Sequence, residues 1–433
     1  MPPQKPREIA FAVLRRRQSG ADFVESLLEA ALASARLSAP DRALAQELTY
    51  GVVRWQATLD WLIARRTNGR DQKPTLGTLL RLGLYQLFWL DRVPDHAAVN
   101  ETVALAREAG FGPQAGFVNA VLRGYARDRE ATRKLLADLK ITDPATGWSH
   151  PAWLVERWQR QHDAGTVSRL LEWNNTPPRT FARANLLRTD TGRLLERWRE
   201  EEVAYDFGRW DWVPENLVFE LKAHPPLASL ASLREGWVYV QDPSTLLAVR
   251  LLDPQPGETV LDLCAAPGGK TAFIAQQMQN QGRIVAADSS PDRLARLREN
   301  CTRLGATIVT VVDSGGLDAP SPPLFDRVLV DAPCSNTGVL RRRMDVRWRL
   351  RPEDVGRQAA AQLALLDRAA VRVRPGGTLV YSTCSLEPEE NTEVVAGFLT
   401  RHAEFAGTTE RTLMPGAVDA DGAFVAGFRR LAS

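Results

Sequence analysis

The sequence predicts a multidomain chain: an all-α bundle over residues 1–140, a small α+β linker module over 141–235, and an α/β doubly wound, Rossmann-like domain over 236–433. Three observations carry this expectation. Residues 5–140 read as helix after helix, with apolar positions at helical spacing. Pro177-Pro178 then interrupts a stretch that mixes helix and strand patterns. From about Gly236 the order becomes strand, glycine turn, helix, repeated, and successive strands stop on Asp288, Asp313 and Asp331.

In the first region, Arg7–Gln18 is an apolar-periodic helix closed by Gly20, and Asp22–Arg36 repeats the pattern. Ser38 with Asp41 resembles a capping box before a helix over Arg42–Arg54. Leu59, Trp61, Leu62 and Ile63 form an apolar cluster. The run Leu79–Leu90 is apolar nearly all round, which places it at the centre of the bundle. Ala97–Glu108 and Phe117–Ala126 complete the set. In the second region Trp148–Leu154 opens an amphipathic helix, Arg179–Asn185 reads as a strand and Thr191–Glu202 as a helix. Leu217–Leu221 and Trp237–Val240 read as further strands.

The third region begins with strand Glu258–Cys264, turn Pro267-Gly268-Gly269 and helix Lys270–Gln279. Strand Arg283–Ala287 ends on Asp288. A helix over 291–304 and strand Thr307–Val312, ending on Asp313, follow. Strand Val328–Asp331 breaks into a loop at Pro333 that carries Cys334 and Gly338. About fifty residues later Thr378–Thr383 ends on Cys384. Two thiols at the ends of two strands of one sheet can face the same crevice, where open α/β sheets place their ligands, and that pairing suggests covalent chemistry.

Composition narrows the class. With 44% apolar and 25% charged residues, the chain is globular rather than fibrous or disordered. No apolar run reaches the roughly 18 residues of a membrane span. Lys5, Arg7, Arg15, Arg16 and Arg17 lead the chain without an apolar signal core, so a cytoplasmic location and no membrane partner are expected. Residues 1–140 hold 21 basic and 15 acidic side chains, a local +6 within an overall +3. That asymmetry alone fits a solvated helix surface as well as a nucleic-acid contact. Cysteines stand at 264, 301, 334 and 384 with no C-x-x-C spacing, so no metal is expected. Cys301 matches no motif and reads as a packed thiol.

Cys264-Ala265-Ala266-Pro267-Gly268-Gly269-Lys270-Thr271 ends like a phosphate-binding loop, but Cys264 stands where that loop needs its first glycine. It also lacks the G-x-G-x-x-G spacing of dinucleotide folds. An NTPase or dehydrogenase is therefore disfavoured. A small-residue loop opening a helix lets backbone approach a ligand closely, and the helix N-terminus can receive a carboxylate. Asp288 lies about twenty residues past Gly268, where an acidic strand end takes ribose hydroxyls. A ribose and a carboxylate without a pyrophosphate cradle suggest S-adenosyl-L-methionine. Asp313 would meet its adenine amine, and Asp262 with the 264–270 loop its methionine end.

Several stretches carry resemblances. Leu48–Arg54, Leu59–Ile63, Leu82–Leu87, Pro94–Glu101 and Phe117–Arg123 resemble the RNA-binding helical fold of the NusB antitermination factor. There, His96 and Asn119 fit an RNA contact or a helix-capping or core role equally. Asp331-Ala332-Pro333-Cys334-Ser335-Asn336-Thr337-Gly338, with Tyr381–Leu386, Glu389-Glu390-Asn391 and the Leu261–Thr271 loop, resembles the RNA (cytosine-5) methyltransferases. With the NusB-like front, the likeness extends over nearly the whole chain and is to bacterial 16S ribosomal RNA methyltransferases of the RsmB type. Ala423 departs from the family, which has an aromatic there, and this bears on the last strand.

The resemblance implies methyl transfer from S-adenosyl-L-methionine to C5 of a cytosine in 16S ribosomal RNA (by resemblance, cytosine 967). Cys384 would add to C6 and Cys334 would aid breakdown and release. Asp331 would hold the ring-nitrogen edge and also border the cofactor. The implied cofactor-binding set is Cys264, Ala265, Ala266, Pro267, Gly268, Gly269, Lys270, Asp288, Asp313 and Asp331. The chemistry fits: C5 of cytosine is a poor nucleophile until a thiolate at C6 turns the ring into an enamine. Taken alone, either cysteine reads better as a structural thiol; the two strand-end motifs together reverse that balance. The expected partner is 16S ribosomal RNA, naked or in an early 30S particle, bound by a monomer. Arg341, Arg342 and Arg343, with Arg347, Arg349 and Arg351, would clamp phosphates around a flipped-out base. Competing readings are a methyltransferase of another RNA, such as tRNA, and an RNA-binding assembly factor. The intact cysteines and Asp331 favour catalysis, and the helical front favours a ribosomal substrate.

Overall fold

The computed structural model describes residues 5–317 and 323–432, which divide into two compact units. One unit is helical and comprises the residues up to Thr176 together with Leu340–Leu350. The other comprises Pro177–Val339 and the residues from Arg351 onward.

In the helical unit, helices span Pro6–Ser19, Val24–Ser34, Ala39–Arg54, Gln56–Arg66, Pro74–Trp89, Asp95–Glu108 and Ala115–Arg127. Ser38 caps the third by accepting a hydrogen bond from the Asp41 amide at 3.3 Å. Pro74–Trp89 is the central helix: Leu79, Leu80, Leu82, Leu84 and Leu87 are buried along it. Each fully buried leucine contributes roughly 1.5–3 kcal/mol. Gly51 lets helix Ala39–Arg54 approach it, because a Cβ there would overlap the Tyr85 ring.

The helical unit continues past residue 140 through Arg129–Thr142, Ala152–Gln161 and Ala164–Asn175. Arg129–Thr142 fully buries only Thr132 and Leu139, with Leu136 packed partly buried against the helical core. Thr176-Pro177-Pro178 then stops helix formation.

The second unit opens with a small antiparallel sheet. Strands β1 (Thr180–Ala184), β2 (Ala204–Phe207), β3 (Val218–Ala223) and β4 (Val238–Val240) lie in the order β2-β3-β1-β4. Helix Thr191–Glu200 buries Leu194 and Trp198, and the Trp198 ring meets Phe219 edge-on at 5.2 Å. The main sheet follows: β5 (Thr259–Leu263), β6 (Arg283–Asp288), β7 (Val309–Asp313), β8 (Phe325–Asp331), β9 (Val373–Thr383), β10 (Phe405–Leu413) and β11 (Ala423–Arg430). Its order is β10-β11-β9-β8-β5-β6-β7. Strands β5 to β9 are parallel, whereas β11 runs antiparallel to both β9 and β10. The last strand forms with Ala423 in place, paired to Leu413.

Period-2 alternation covers both faces of this sheet. Val260, Leu329 and Val380 join a core with Phe273, Ile274 and Leu297 on one side. Leu261, Val328, Val330 and Leu379 join Leu366, Val394 and Phe398 on the other. The chain leaves β5 toward β6 on one side and returns to β8 on the other, so the switch point lies between the ends of β5 and β8. Among the described residues no helix is long and apolar enough to cross a membrane.

Asn185 fastens the small sheet to the main one: its buried Nδ2 donates to Gly236 O and Leu304 O, each at 2.7 Å. Asn185→Ala leaves both carbonyls unsatisfied and should lower the unfolding free energy by about 1–3 kcal/mol. A urea titration with an unchanged midpoint would contradict this.

Candidate active site

β8 and β9 are parallel neighbours, with Asp331 opposite Ser382. Their C-terminal loops therefore leave the sheet side by side. Cys334 Sγ and Cys384 Sγ come to 3.2 Å. Cys384 Sγ also lies 3.3 Å from Asn336 Oδ1, to which it donates. Asn336 sits in the left-handed region at φ 61°, a conformation its short polar side chain tolerates, and its Nδ2 donates to Cys334 O at 2.7 Å.

A buried polar scaffold sets this juxtaposition. Glu390 is fully buried, and its carboxylate accepts from the Ser335 amide at 2.9 Å, Ser385 Oγ at 2.7 Å and Gln362 Nε2 at 2.8 Å. Gln362 Nε2 also donates to Pro333 O, and Tyr381 Oη donates to Glu390 O. Thr337 Oγ1 accepts from the Leu386 amide, and the Gly338 amide donates to Cys384 O at 2.9 Å. Gly338 is required here, since a Cβ would stand 2.7 Å from Cys384 O and 2.9 Å from Gly422 Cα. The motif residues Ser335, Thr337, Gly338, Ser385 and Glu390 thus position the thiols.

The four cysteines differ in environment. Burial pushes the Cys264 and Cys301 thiols up to about 12, which keeps both protonated and unreactive. Cys301 packs among core residues, as expected. The Cys334 thiol is raised well above its ordinary value by its contact with Cys384 and then by burial. Cys384 is the less buried of the pair. Cys334 is therefore the partner that retains its proton, and Cys384 the sulfur with solvent access.

Asp331 flanks the thiols at the end of β8. Its Oδ2 pairs with Lys270 Nζ at 2.7 Å and its Oδ1 accepts from Ser382 Oγ at 2.7 Å. Burial is the largest influence and would lower the Lys270 ammonium, but Asp331, together with Cys384 and Asp262, raises it overall. Lys270 thereby joins Asp331 to the glycine loop, a link that spacing alone does not reveal.

The crevice at the β5/β8 switch point fits an adenosyl cofactor. Cys264 turns the chain at φ 61° and Gly268 at φ 105°; a Cβ on Gly268 would meet Leu297, and one on Gly269 would meet Tyr239. Side chains are thus excluded along the loop that opens helix Gly269–Gln277. Asp288 and Asp313 are paired in register at neighbouring strand ends. Asp288 accepts from the Ala266 and Ser290 amides and pairs with Arg293, which itself donates to Ala266 O, so Asp288 also shapes the loop. Asp313 is exposed and accepts from the Gly315 amide. Asp262 is fully buried; Thr271 Oγ1 donates to one of its oxygens, and the other has no partner among the described residues. Burial pushes its carboxyl up to about 7. An unpartnered buried oxygen beside a glycine cradle accommodates a ligand ammonium such as that of a methionine moiety.

The arginine run does not form the expected phosphate clamp. Arg341 is 1% exposed, with its guanidinium 3.9 Å over the Trp173 ring. Arg347 is fully buried and donates to Ser149 O, Asn175 Oδ1 and Asn174 O. The reason is that Leu340–Leu350 belongs to the helical unit: Trp348 Nε1 donates to Val53 O, and buried Asp345 accepts from Arg17 at 2.7 Å and from the Val24 amide. Only Arg343 and Arg351 of the run are exposed. In the helical unit, His96 is exposed and Asn119 half-buried.

Known proteins are similar to this chain. Residues 249–429 match the family model described as 16S rRNA methyltransferase RsmB/F, residues 4–127 the NusB family, and residues 150–221 an RsmF/B-like ferredoxin-like domain. A probable ribosomal RNA small subunit methyltransferase B of Bacillus subtilis (strain 168) is 36% identical over 403 residues, covering 92% of this chain and 89% of that protein. The ribosomal RNA small subunit methyltransferase B of Escherichia coli (strain SMS-3-5 / SECEC) is 39% identical over 409 residues, 90% and 91% of the two chains. The crystal structure of PH0851, 24% identical, shares the fold over 98% of each chain with a TM-score of 0.79. A methyltransferase homolog protein from Pyrococcus horikoshii, 30% identical, covers 67% of this chain and 98% of its own with a TM-score of 0.58. With relatives at this identity across 90% or more of its length, the chain belongs to the ribosomal RNA small subunit methyltransferase B family.

Proposed function

We propose that this chain methylates C5 of a cytosine in 16S ribosomal RNA through a covalent bond between Cys384 and C6. The observation that carries this reading is the 3.2 Å approach of two strand-end sulfurs beside Asp331 and the glycine loop. S-adenosyl-L-methionine is the cofactor, and it supplies an electrophilic methyl group on a sulfonium. The 264–270 loop and Asp262 hold its methionine end, Asp288 its ribose and Asp313 its adenine.

Cys384 is the accessible thiol, and as thiolate it adds to C6 of the pyrimidine. The ring's electrons shift toward C5 and the nitrogen edge, where Asp331, oriented by Lys270 and Ser382, holds the base. After methylation, C5 gives its proton to solvent water, and the electron pair of that C–H bond re-forms the C5=C6 double bond and expels Cys384 from C6 as thiolate. Cys334 keeps its proton, and its S–H donates to the departing Cys384 sulfur, which stabilises charge on the leaving group. This assigns attack to the half-buried thiol and release to the buried one. The base must leave its stack, because a paired cytosine presents neither ring face to a thiol.

Cys384→Ala should lower methyl transfer by ~10³-fold or more while leaving cofactor binding unchanged. Turnover close to wild type, measured with labelled cofactor, would refute the assignment. Cys334→Ala should form the adduct but release it slowly, leaving protein attached to RNA. A denaturing gel without a retarded protein–RNA species would remove the release role.

A further inference from the structure

We propose that the helical unit carries a subsite for one nucleotide of the substrate RNA, in the recess lined by Trp55, Phe88, Trp89, Arg133 and Lys140. This rests on the reading above that the substrate is ribosomal RNA. The recess measures about 180 Å³. That is below the roughly 300–1,000 Å³ of cofactor and drug-sized pockets and suits a single planar group.

Its chemistry is specific. The Lys140 ammonium lies 4.0 Å from the Trp148 ring centroid and 5.6 Å from that of Trp55. Trp55 in turn lies 5.0 Å from Trp89, centroid to centroid. Lys140 is half-buried, and burial lowers its ammonium, yet it makes no ion pair with a carboxylate among the described residues. Cation–π contacts offset part of that desolvation, and the one carboxylate that acts on the ammonium, Glu172, does so from beyond ion-pair distance. Arg133 stands two turns earlier on the same helix, and its contacts to Glu130 and Asp91 are long, at 3.4 and 3.6 Å, with both acids exposed. An unpaired cation beside partly exposed aromatic rings supplies what a single-stranded nucleotide needs: a point charge for the phosphate and a π-face for the base. An acidic peptide would use the charge and leave the rings unused.

The test is binding of the full-length chain to unmodified 16S ribosomal RNA transcribed in vitro, across a salt series, for the wild type, Lys140→Gln, Lys140→Arg and Trp89→Leu. Lys140→Gln should bind several-fold more weakly, with a log K against log salt slope shallower by about one. Lys140→Arg should restore the slope. Trp89→Leu should weaken binding at an unchanged slope, and kcat at saturating RNA should stay at the wild-type value for Lys140→Gln. Wild-type affinity and slope in Lys140→Gln would overturn the subsite, as would weaker binding with an unchanged slope in that variant. Cytosine methylation is read on the same samples. A wild type that binds this RNA without forming 5-methylcytosine contradicts the reaction reading, while the slope comparison still decides the subsite.

Discussion

A single buried carboxylate holds the reaction centre together. Glu390 has no solvent access, and burying such a charge costs several kcal/mol unless donors surround it. The donors come from three elements: the Ser335 amide from the loop after β8, Ser385 Oγ from the loop after β9, and Gln362 from helix Pro352–Ala370. The charge can therefore be satisfied only if both cysteine-bearing loops are in place together. The approach of Cys334 and Cys384 is a consequence of solving that electrostatic problem. Gly338 adds the steric half, because its backbone lies against both Cys384 and Gly422 where no side chain fits.

The two thiols differ in their surroundings. Cys334 is enclosed and hydrogen-bonded, which fixes it in its protonated form, whereas Cys384 retains an open side. Half-buried Cys264 and buried Cys301 are both pushed up to about 12 by desolvation, Cys264 also by the neighbouring carboxylates, which keeps them unreactive. The Lys270–Asp331 pair ties this centre to the cofactor loop, so the residue expected to hold the base and the loop expected to hold the methyl donor are mechanically joined. Such a link makes the two substrates' positions interdependent.

Much of this was legible in the sequence because it follows from local rules. Strands that end on Asp288, Asp313, Asp331 and Cys384 announce a parallel sheet with its ligands at the carboxyl ends, and β5 to β9 form there. The central helix Pro74–Trp89 follows from an apolar run, and Ser38 caps the helix it should. What local rules miss are side chains whose meaning depends on distant partners. Arg341 and Arg347 look like solvated charges beside a catalytic loop. Their burial depends on Trp173, Asn174 and Asn175, more than 160 residues earlier. Glu390 lies within a recognisable motif, yet its scaffolding role depends on Gln362 and Tyr381, which no short pattern joins to it.

The division of labour between the two sulfurs is the centre of the account, and a trapped adduct addresses it directly. RNA carrying 5-fluorocytosine at the target cannot lose a proton from C5, so the sulfur that attacked stays bonded to C6. Proteolysis and mass spectrometry of that complex should find the nucleotide on Cys384 alone. A nucleotide attached to Cys334 would contradict the assignment and reverse the roles of the pair.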